Sequence, residues 1–329
     1  MLEPLCPFGI ILKYRTLGKS DLLVSEVSLG TWGVCEGVSE DRFRDSIYTA
    51  LDLGVNLIDT SNSYASGAAE TFLGDVLKAI PRSTYSLATK VFFPVPPCDG
   101  GLSSKQIRIN IDASLSRLRI DYVDLYQCHR FDECTPLEET MSALTEIVRQ
   151  GKVRYLGFSE WSPEQIVSAL QLTDLGPFIS SQPQYSMLWR APETTVFPLC
   201  VRNGIGQLVW SPLAQGILTG KYLPGREPPR GTRASNSQMN SYLMNELYSD
   251  QNLLLVQKLV AIAAREGLSM SKLALAWVLR LPGVTSAIVG ASSPMQVRQN
   301  VQAAGFVLSP SLLDEIDQVL SSVPSIIQE

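Results

Sequence analysis

Four side chains that can take part in proton transfer stand at or near the ends of predicted β-strands. Asp59, Lys90 and His129 come at the ends of three successive β-rich runs, and Tyr64 follows Asp59 by five residues. A carboxylate, an ammonium, a phenol and an imidazole in one place suit the reduction of a carbonyl group. Tyr64 can donate a proton to the carbonyl oxygen while a hydride reaches the carbon. The set therefore predicts an oxidoreductase site.

The residue types also predict how the four groups work together. A free phenol has a pKa of about 10, so it donates a proton readily but is a poor base for the reverse reaction. We expect the Lys90 ammonium to lower the pKa of Tyr64, with Asp59 keeping the lysine charged and in place. The His129 ring can hydrogen-bond the carbonyl oxygen and orient it. Each residue alone has an ordinary structural explanation, but their coincidence at successive strand ends favours catalysis.

Composition narrows the class of protein. Hydrophobic residues make up 45% and charged residues 18% of the chain, which is enough for a sizeable core and argues against disorder. Lys and Arg total 27 against 32 Asp and Glu, and the net charge of −5 argues against nucleic acid or an anionic membrane as the main partner. Because His129 is the single histidine, a histidine-rich metal centre is excluded, and we expect no metal.

Cysteine usage and the N-terminal sequence predict a cytoplasmic protein. No two of the six cysteines have C-x-x-C spacing, so reduced thiols are favoured over zinc ligands or disulfides. The segment MLEPLCPFGIIL contains Glu3 and no basic start, which is atypical of a signal peptide. Apolar runs such as Leu273–Leu279 are too short to span a bilayer. The six cysteines are Cys6, Cys35, Cys98, Cys128, Cys134 and Cys200.

Short β-rich runs alternate with amphipathic helical stretches along the chain. Ile107 and Ile111 recur at helical spacing, and Ser103, Thr135 and Ser162 stand where helices are expected to begin. Strands alternating with helices predict parallel strands joined by crossover connections. The eight predicted strands are Val24–Leu29, Val55–Ile58, Tyr85–Val91, Tyr122–Gln127, Val153–Phe158, Phe178–Gln182, Gly206–Trp210 and Ser286–Val289.

Eight parallel strands fit either an open doubly wound sheet or a closed barrel. The count of eight favours the barrel, and no G-x-G-x-x-G follows the first strand, where the chain reads SLGTWGVCEG. The length would suggest two domains at roughly 150 residues each, but the alternation has no break. We predict a single-domain (β/α)8 TIM barrel over residues 1–329 with its site at the carboxyl ends of the strands. The Pro-, Gly- and Ser-rich loop 212–250 is predicted to lie over the cofactor site.

Eight stretches around these residues have a familiar pattern: YRTLGKSDLLVSEVSLGTWG, GVNLIDTSNSYASGAAETFLG, LATKVF, SLSRLRIDYVDLYQCHR, GKVRYLGFSEWS, QPQYSML, WSPLAQGILTGKY and IVGASSPMQVRQN. They resemble the aldo-keto reductase superfamily, and the resemblance covers nearly the whole chain. It is closest to the branch containing bacterial reductases and the β subunits of voltage-gated potassium channels. The resemblance implies a (β/α)8 barrel, the tetrad Asp59, Tyr64, Lys90 and His129, and NADPH bound in extended form across the barrel mouth.

The resemblance also implies how the cofactor is held. Ser159 and Gln182 would hold the nicotinamide carboxamide, and Trp210 would stack on the nicotinamide ring. Two positions depart from the family pattern, with Glu160 where asparagine is common and Gln299 where glutamate is frequent. The phosphate residues would lie after the last two strands, as in many barrels. The implied cofactor residues are Gly30, Thr31, Trp32, Ser159, Gln182, Trp210, Ser211, Pro212, Leu213, Gln215, Gly216, Lys221, Arg233, Gly290, Ser292, Gln296, Gln299 and Asn300.

Cofactor preference and substrate contacts depend on fewer residues. Preference for NADPH over NADH would rest on Lys221, Arg233 or Arg298 meeting the 2′-phosphate, although each arginine could equally be a solvated surface charge. Aromatic side chains near the predicted barrel mouth would suit planar or apolar carbonyl compounds, but each could equally be rim packing. These side chains are Trp32, Phe92, Phe93, Phe131 and Trp161.

Three functions fit this set of residues. The first is NADPH-dependent reduction of an aldehyde or ketone, with a small-molecule carbonyl compound as the partner. The second is a regulatory or channel-associated subunit that binds NADPH and turns over little. His129 argues against it because the channel subunits commonly have asparagine there, and we also expect no long N-terminal inactivating segment. The third is an oxidative dehydrogenase of a sugar, polyol or natural-product alcohol. The choice between monomer and homo-oligomer stays open.

Overall fold

The computed structural model of the chain describes residues 12–34, 39–96, 98–236, 244 and 247–321, so Cys6 and Cys35 fall outside the described residues. The strands in these ranges are β1 (Tyr14–Thr16), β2 (Leu23–Ser25), β3 (Val27–Gly30), β4 (Leu57–Asp59), β5 (Ser86–Val91), β6 (Val123–Cys128), β7 (Val153–Phe158), β8 (Phe178–Ser181), β9 (Gly206–Val209) and β10 (Val284–Val289). The α-helices are α1 (Glu40–Asp52), α2 (Ala68–Leu77), α3 (Ser104–Leu118), α4 (Leu137–Arg149), α5 (Pro163–Leu170), α6 (Val196–Arg202), α7 (Asp250–Arg265), α8 (Met270–Leu279), α9 (Pro294–Val301) and α10 (Pro310–Leu320).

Strands β3 to β10 form a closed barrel in which all neighbouring strands are parallel. Each strand pairs with its neighbour in the chain, and β10 closes the barrel on β3 with Ala287 opposite Val27. The crossover connections that parallel strands need are supplied by the helices. The predicted (β/α)8 fold is confirmed. Predicted strand ends differ by one or two residues, and β4 extends to include Asp59.

The predicted first strand, Val24–Leu29, is wrong as a single element. Its first half belongs to β2, which pairs antiparallel with β1, and its second half is β3 of the barrel. The break comes at Glu26, a buried carboxylate that accepts hydrogen bonds from Arg15 Nε (2.7 Å) and from the backbone N–H of Gly305 (2.6 Å). Because of these long-range contacts, the chain pairs with β1 before Glu26 and with the barrel strands after it. The β-rich sequence pattern continues across this point without a break.

The β1–β2 hairpin packs against the barrel interior at the amino-terminal ends of the strands. Its turn contains Gly18 at φ +56°, where a Cβ atom would lie 2.4 Å from the carbonyl oxygen of Ile179. A side chain has no room there, so the turn requires glycine. The apolar cluster formed by the hairpin and the inward-facing strand residues consists of Leu17, Leu22, Val24, Leu57, Ala88, Leu125, Ile179, Leu208 and Ile288.

A polar layer lies directly above this apolar cluster, toward the carboxyl ends of the strands. Side chains alternate in direction along a strand, so a residue two positions beyond an inward-facing one faces the interior again. The residues two positions beyond the cluster members of β4, β5 and β6 are Asp59, Lys90 and Gln127. All three are buried. The hydrophobic core below them therefore positions the candidate catalytic residues.

Two of the predicted helix starts carry side-chain caps. The Ser103 hydroxyl caps α3, and Ser162 forms a capping box with Gln165 at the start of α5, which satisfies backbone N–H groups that have no partner inside the helix. The buried face of α3 includes Ile107 and Ile111, which pack into the main hydrophobic core. These helices pack on the outside of the barrel, and the polar layer lies inside it at the carboxyl ends of the strands.

The predicted loop 212–250 is described in part, because residues 237–243 and 245–246 fall outside the described ranges. It contains short 3-10 helical turns at Ala214–Thr219 and Arg233–Ser235. Among the described residues, no helix combines the length and apolar character needed to cross a membrane. Nor do the described ranges contain a group of three or more His, Cys, Asp or Glu side chains that could hold a metal ion.

Candidate active site

The side chain of Lys90 is completely buried near the carboxyl end of β5. Its Nζ atom donates hydrogen bonds to Asp59 Oδ2 (2.6 Å), to the carbonyl oxygen of Thr60 (2.9 Å) and to the hydroxyl of Tyr64 (3.2 Å). These contacts use all three ammonium hydrogens. Burial acts to lower the pKa of Lys90, but the Asp59 carboxylate and Tyr64 outweigh it, so the pKa is raised. Lys90 is therefore charged at neutral pH.

Tyr64 reaches Lys90 from a tight turn that follows β4. The backbone is left-handed at Ala65 (φ 47°), Ser66 (φ 53°) and Gly67 (φ 92°). Side chains cost about 1–2 kcal/mol per residue in this conformation, so the turn is strained where it presents the tyrosine. Burial raises the pKa of Tyr64 above its ordinary value, and Lys90 opposes the rise. The expected lowering by Lys90 is present but outweighed, so Tyr64 is protonated at neutral pH.

His129 lies one residue beyond β6 and is almost completely buried. Its Nδ1 atom is 3.1 Å from the Ser61 hydroxyl, and its ring makes edge-to-face contacts with Tyr64 (6.0 Å) and Phe93 (5.0 Å between centroids). Burial, with two nearby cations, lowers the pKa of His129 well below its ordinary value, so the ring is neutral at pH 7. Among the described residues, none hydrogen-bonds Nε2, which leaves this nitrogen for a ligand.

Two glutamine amides hold the other oxygen of Asp59. Gln182 Nε2 donates to Asp59 Oδ1 over 2.9 Å, and Gln127 Nε2 approaches the same atom at 3.4 Å. The Ser159 hydroxyl donates to the carbonyl oxygen of Gln182 (2.8 Å), which links the ends of β7 and β8. The resemblance implies a nicotinamide contact for Ser159 and Gln182. In the structure, the Gln182 amide nitrogen donates to Asp59, and the nicotinamide contact stays a prediction.

Glu160 supports Trp210 across the barrel mouth. It has a left-handed backbone (φ 57°), and its Oε1 atom accepts hydrogen bonds from the indole Nε1 of Trp210 (2.7 Å) and the backbone N–H of Gln184 (2.6 Å). An asparagine side chain is one methylene shorter than glutamate. The departure from the family pattern therefore has a structural consequence, because the longer carboxylate fixes the indole that the resemblance assigns to the nicotinamide.

The segment after β9 contains residues that suit a phosphate. Its backbone is left-handed at Ser211 (φ 52°), Gln215 (φ 57°) and Gly216 (φ 98°), and Gln215 Nε2 donates to the Ser211 hydroxyl (2.6 Å). A Cβ atom on Gly216 would lie 3.2 Å from Lys221 Nζ, so glycine leaves room for the ammonium beside the backbone. Among the described residues, Lys221 has no carboxylate partner. An exposed ammonium of this kind suits a diphosphate. Pro212 and Leu213 lie in the same segment.

Arg233 joins the loop 212–250 to the end of β3. Its guanidinium lies over the Trp32 ring at 4.5 Å and hydrogen-bonds Gln215 Oε1. Thr31, next to Trp32, contacts the Asp59 carbonyl oxygen through its backbone N–H (3.0 Å) and its hydroxyl (3.1 Å). Gly30, which ends β3, is paired with Asp59 in the barrel. Gly30 and Thr31 therefore lie against the backbone of Asp59.

The end of β10 and the start of α9 provide the last group of implied cofactor residues. Gly290 has open space where a Cβ would stand, and the Gln296 side-chain oxygen accepts from the backbone N–H (2.8 Å) and the hydroxyl of Ser292. Asn300 is buried in α9, whereas Gln299 is exposed. Open space at Gly290 and a helix that starts shortly after it fit a phosphorylated nucleotide.

The five predicted substrate-pocket aromatics divide into two groups. Phe93 packs edge-to-face on His129 and on Phe92 (5.3 Å), so these two phenylalanines lie beside the tetrad. Trp32 contacts the Arg233 guanidinium. Trp161 is buried in the main core, and Phe131 packs on it at 4.9 Å. Trp161 therefore packs in the core, and its contact with a substrate stays a prediction.

Sequence reasoning missed three residues of the site. Gln127 could have been found from strand alternation, because it stands two positions after the core residue Leu125. Ser61 lies two positions after Asp59 in a polar turn, and no local pattern distinguishes its contact with His129. Arg130 stands next to His129 and carries a charge, but only the structure shows its surroundings. With these residues the site can hold a protonated phenol, a charged ammonium and a neutral imidazole together.

Comparisons with known proteins give one family match over most of the chain and several similar proteins. The model of the "Aldo/keto reductase family" matches residues 26–321. A "Probable voltage-gated potassium channel subunit beta" from Arabidopsis thaliana is 39% identical over 324 residues, which cover 95% of this chain and 98% of that protein. A "Putative voltage-gated potassium channel subunit beta" from Schizosaccharomyces pombe is 39% identical over 331 residues, covering 96% and 95%. A probable β subunit from Oryza sativa subsp. japonica is 36% identical over 324 residues, covering 95% and 98%.

Proposed function

Because the chain belongs to the aldo/keto reductase family, we propose that it reduces an aldehyde or ketone to an alcohol with NADPH. The observation that carries the proposal is the contact of the buried Lys90 ammonium with both Asp59 and the Tyr64 hydroxyl. A general acid needs a proton at working pH and a neighbour that stabilises the anion it leaves. Tyr64 and Lys90 meet these two requirements.

Each member of the tetrad has a distinct role in this proposal. NADPH, when bound, would supply the hydride. Tyr64 donates its proton to the carbonyl oxygen, and the Lys90 ammonium stabilises the phenolate that remains. Asp59 keeps Lys90 charged and fixed, and the neutral His129 ring orients the carbonyl oxygen through a hydrogen bond. The low-dielectric surroundings strengthen these electrostatic interactions. The groups are also in place before the reaction, so no free energy is spent on reorienting them.

The cofactor residues follow from the same proposal. Trp210, fixed by Glu160, would stack on the nicotinamide, with Ser159 and the Gln182 side-chain oxygen beside the carboxamide. Lys221 and Arg233 would meet the phosphates, and the loop 212–250 would cover them. Two observations support NADPH in this proposal: the open space at Gly290, and the Arg233 guanidinium over the Trp32 ring.

A second candidate is a channel-associated subunit with little turnover. The names of the three relatives, each a potassium channel β subunit, support it. His129 supports the reductase instead, because its free Nε2 can orient a carbonyl oxygen. The tetrad is reversible, so oxidation of an alcohol with NADP⁺ is the same chemistry in the other direction. We also propose a cytoplasmic location, consistent with the free buried thiols of Cys128 and Cys200.

The proposal is tested by NADPH oxidation with a panel of aldehydes, ketones and quinones, with NADH in parallel. We expect several aldehydes to be reduced with formation of the alcohol, identified by mass spectrometry. Tight NADPH binding with no substrate turned over, together with co-purification of a voltage-gated potassium channel, would favour the second candidate. Failure to bind NADPH would contradict both.

A further inference from the structure

Arg130 stands beside the reacting groups on the side where His129 and Phe93 meet. Its Nη1 atom donates a hydrogen bond to the carbonyl oxygen of His129 (2.6 Å), and its guanidinium lies 5.7 Å from the centre of the Phe93 ring. The same Phe93 ring packs on the His129 imidazole at 5.0 Å. Phe93 therefore lies in contact with both the guanidinium and the imidazole.

The charge of Arg130 has no carboxylate partner among the described residues. Its neighbour Asp132 is the nearest acid in the sequence, but the Asp132 carboxylate accepts from the backbone N–H groups of Leu102 (2.7 Å) and Cys134 (3.0 Å) and from the Thr135 hydroxyl (2.7 Å). Other partly buried arginines differ. Arg82, Arg117 and Arg280 each contact a carboxylate within 3 Å.

Arg130 also has hydrogen-bond donors to spare. A guanidinium carries five N–H donors in a planar fork, and one contact to the His129 carbonyl oxygen leaves the others without a protein partner in the described ranges. Two parallel donors match the two oxygens of a carboxylate, and such pairs are about twice as strong as neutral hydrogen bonds. A partly buried, unpaired guanidinium next to a substrate site is a receptor for an anion of this shape.

We propose that Arg130 selects carbonyl substrates that carry a carboxylate, by binding that group while the carbonyl oxygen lies at Tyr64 and His129. The aliphatic or aromatic part between the two polar ends would pack on Phe93. This inference rests on the proposed reductase function and names its substrate class. Arg130 also contributes to the neutral state of His129 and opposes the rise in the pKa of Tyr64, so its charge acts on both groups.

The test compares two substrates of nearly equal size that differ in charge, 4-carboxybenzaldehyde and methyl 4-formylbenzoate, with the full-length protein and NADPH. We expect kcat/KM to favour the carboxylate by about tenfold or more, as charge-assisted hydrogen bonds do. Arg130→Met should abolish the preference, mainly through KM, and Arg130→Lys should restore part of it. The matched control is Arg149→Met, since Arg149 pairs with Glu146 on the exposed side of α4 and its loss should leave the ratio unchanged.

Equal kcat/KM for the two substrates in the unmodified protein, or an unchanged ratio in Arg130→Met, would overturn the inference. Calorimetric binding of benzoate to the NADPH-loaded protein separates this failure from failure of the reductase proposal. If no aldehyde is reduced but benzoate binds and Arg130→Met weakens it at least tenfold, the anion site stands without the reductase. Benzoate affinity that is equal in both proteins overturns the anion site regardless of turnover.

Discussion

The Nζ atom of Lys90 lies 3.2 Å from the hydroxyl oxygen of Tyr64, inside a barrel whose remaining strand ends exclude water from the lysine. The contact links the group that donates the proton to the charge that stabilises its conjugate base. Directly after Tyr64 the backbone is left-handed at Ala65 and Ser66.

Tyr64→Phe removes the hydroxyl and keeps the ring. We expect kcat for carbonyl reduction to fall by about 100- to 10,000-fold, the usual contribution of a positioned general acid. NADPH affinity, measured by quenching of tryptophan fluorescence, should persist because the ring still packs on His129. Tyr48→Phe, on α1, serves as the control. Unchanged carbonyl reduction in Tyr64→Phe would contradict the acid role.

Lys90→Met should abolish activity and destabilise the fold, because it leaves the Asp59 carboxylate buried without its cation. Removing one partner of a buried ion pair costs about 3–5 kcal/mol of unfolding free energy. The double variant Asp59→Asn/Lys90→Met should regain most of that loss in urea denaturation while staying inactive. Lys258→Met, at an exposed position on α7, is the control. If Lys90→Met lost cofactor affinity alone, the proposed action on Tyr64 would be wrong.

The pH dependence of kcat/KM follows from two pKa shifts of opposite sign. The pKa of His129 is lowered, mainly by burial, so the ring stays neutral through the range near pH 6.5 in which free histidine titrates. The pKa of Tyr64 is raised by burial, so the acid keeps its proton up to and beyond its ordinary pKa of about 10. We expect a flat profile through neutral pH and a decline on the alkaline side. An inflection near pH 6.5 that disappears in His129→Gln would contradict this expectation, because it would show that His129 titrates near its ordinary pKa.

We expect Glu160 to stabilise Trp210 as a hydrogen-bond acceptor rather than through its negative charge. Glu160→Leu removes the acceptor shared by the indole N–H and the Gln184 backbone N–H, and each lost hydrogen bond costs about 0.5–1.5 kcal/mol. Glu160→Gln retains an acceptor and should lose much less. Urea denaturation gives the stabilities, and fluorescence titration gives the NADPH affinity. Equal losses in both variants would mean that the charge is what matters.

Arg233→Ala tests the preference for NADPH. If Arg233 meets the 2′-phosphate, NADPH affinity should fall by about ten- to a hundredfold while NADH affinity stays the same, because only NADPH carries that group. Arg298→Ala, at an exposed position on α9, tests in the same way the other arginine that the sequence suggests for this phosphate. Equal losses for the two cofactors would show that Arg233 acts by holding the loop through Trp32 and Gln215, the contacts seen in the structure.

Several features were predictable because their causes are local. Strand alternation brings Asp59 and Lys90 to the same layer, and the caps at Ser103 and Ser162 start α3 and α5 where the residues indicate. The single predicted strand Val24–Leu29 failed for a non-local reason. Glu26 is held by Arg15 and Gly305, and no window around residue 26 contains Gly305. The core packing of Trp161 is likewise non-local, because its neighbours in space include Phe131 and Phe178.

By itself, the sequence determined the alternation of strands and helices and the residue types at the strand ends, since periodicity and turn chemistry act over a few residues. Only the tertiary structure decided which of those residues meet. Gln182 donates to Asp59 across 123 positions of sequence, and the contact exists because the barrel closes. Closure also excludes water, and desolvation therefore outweighs the Lys90 charge in setting the pKa of Tyr64. The sequence determines the charges and their spacing, whereas the fold determines which groups are buried.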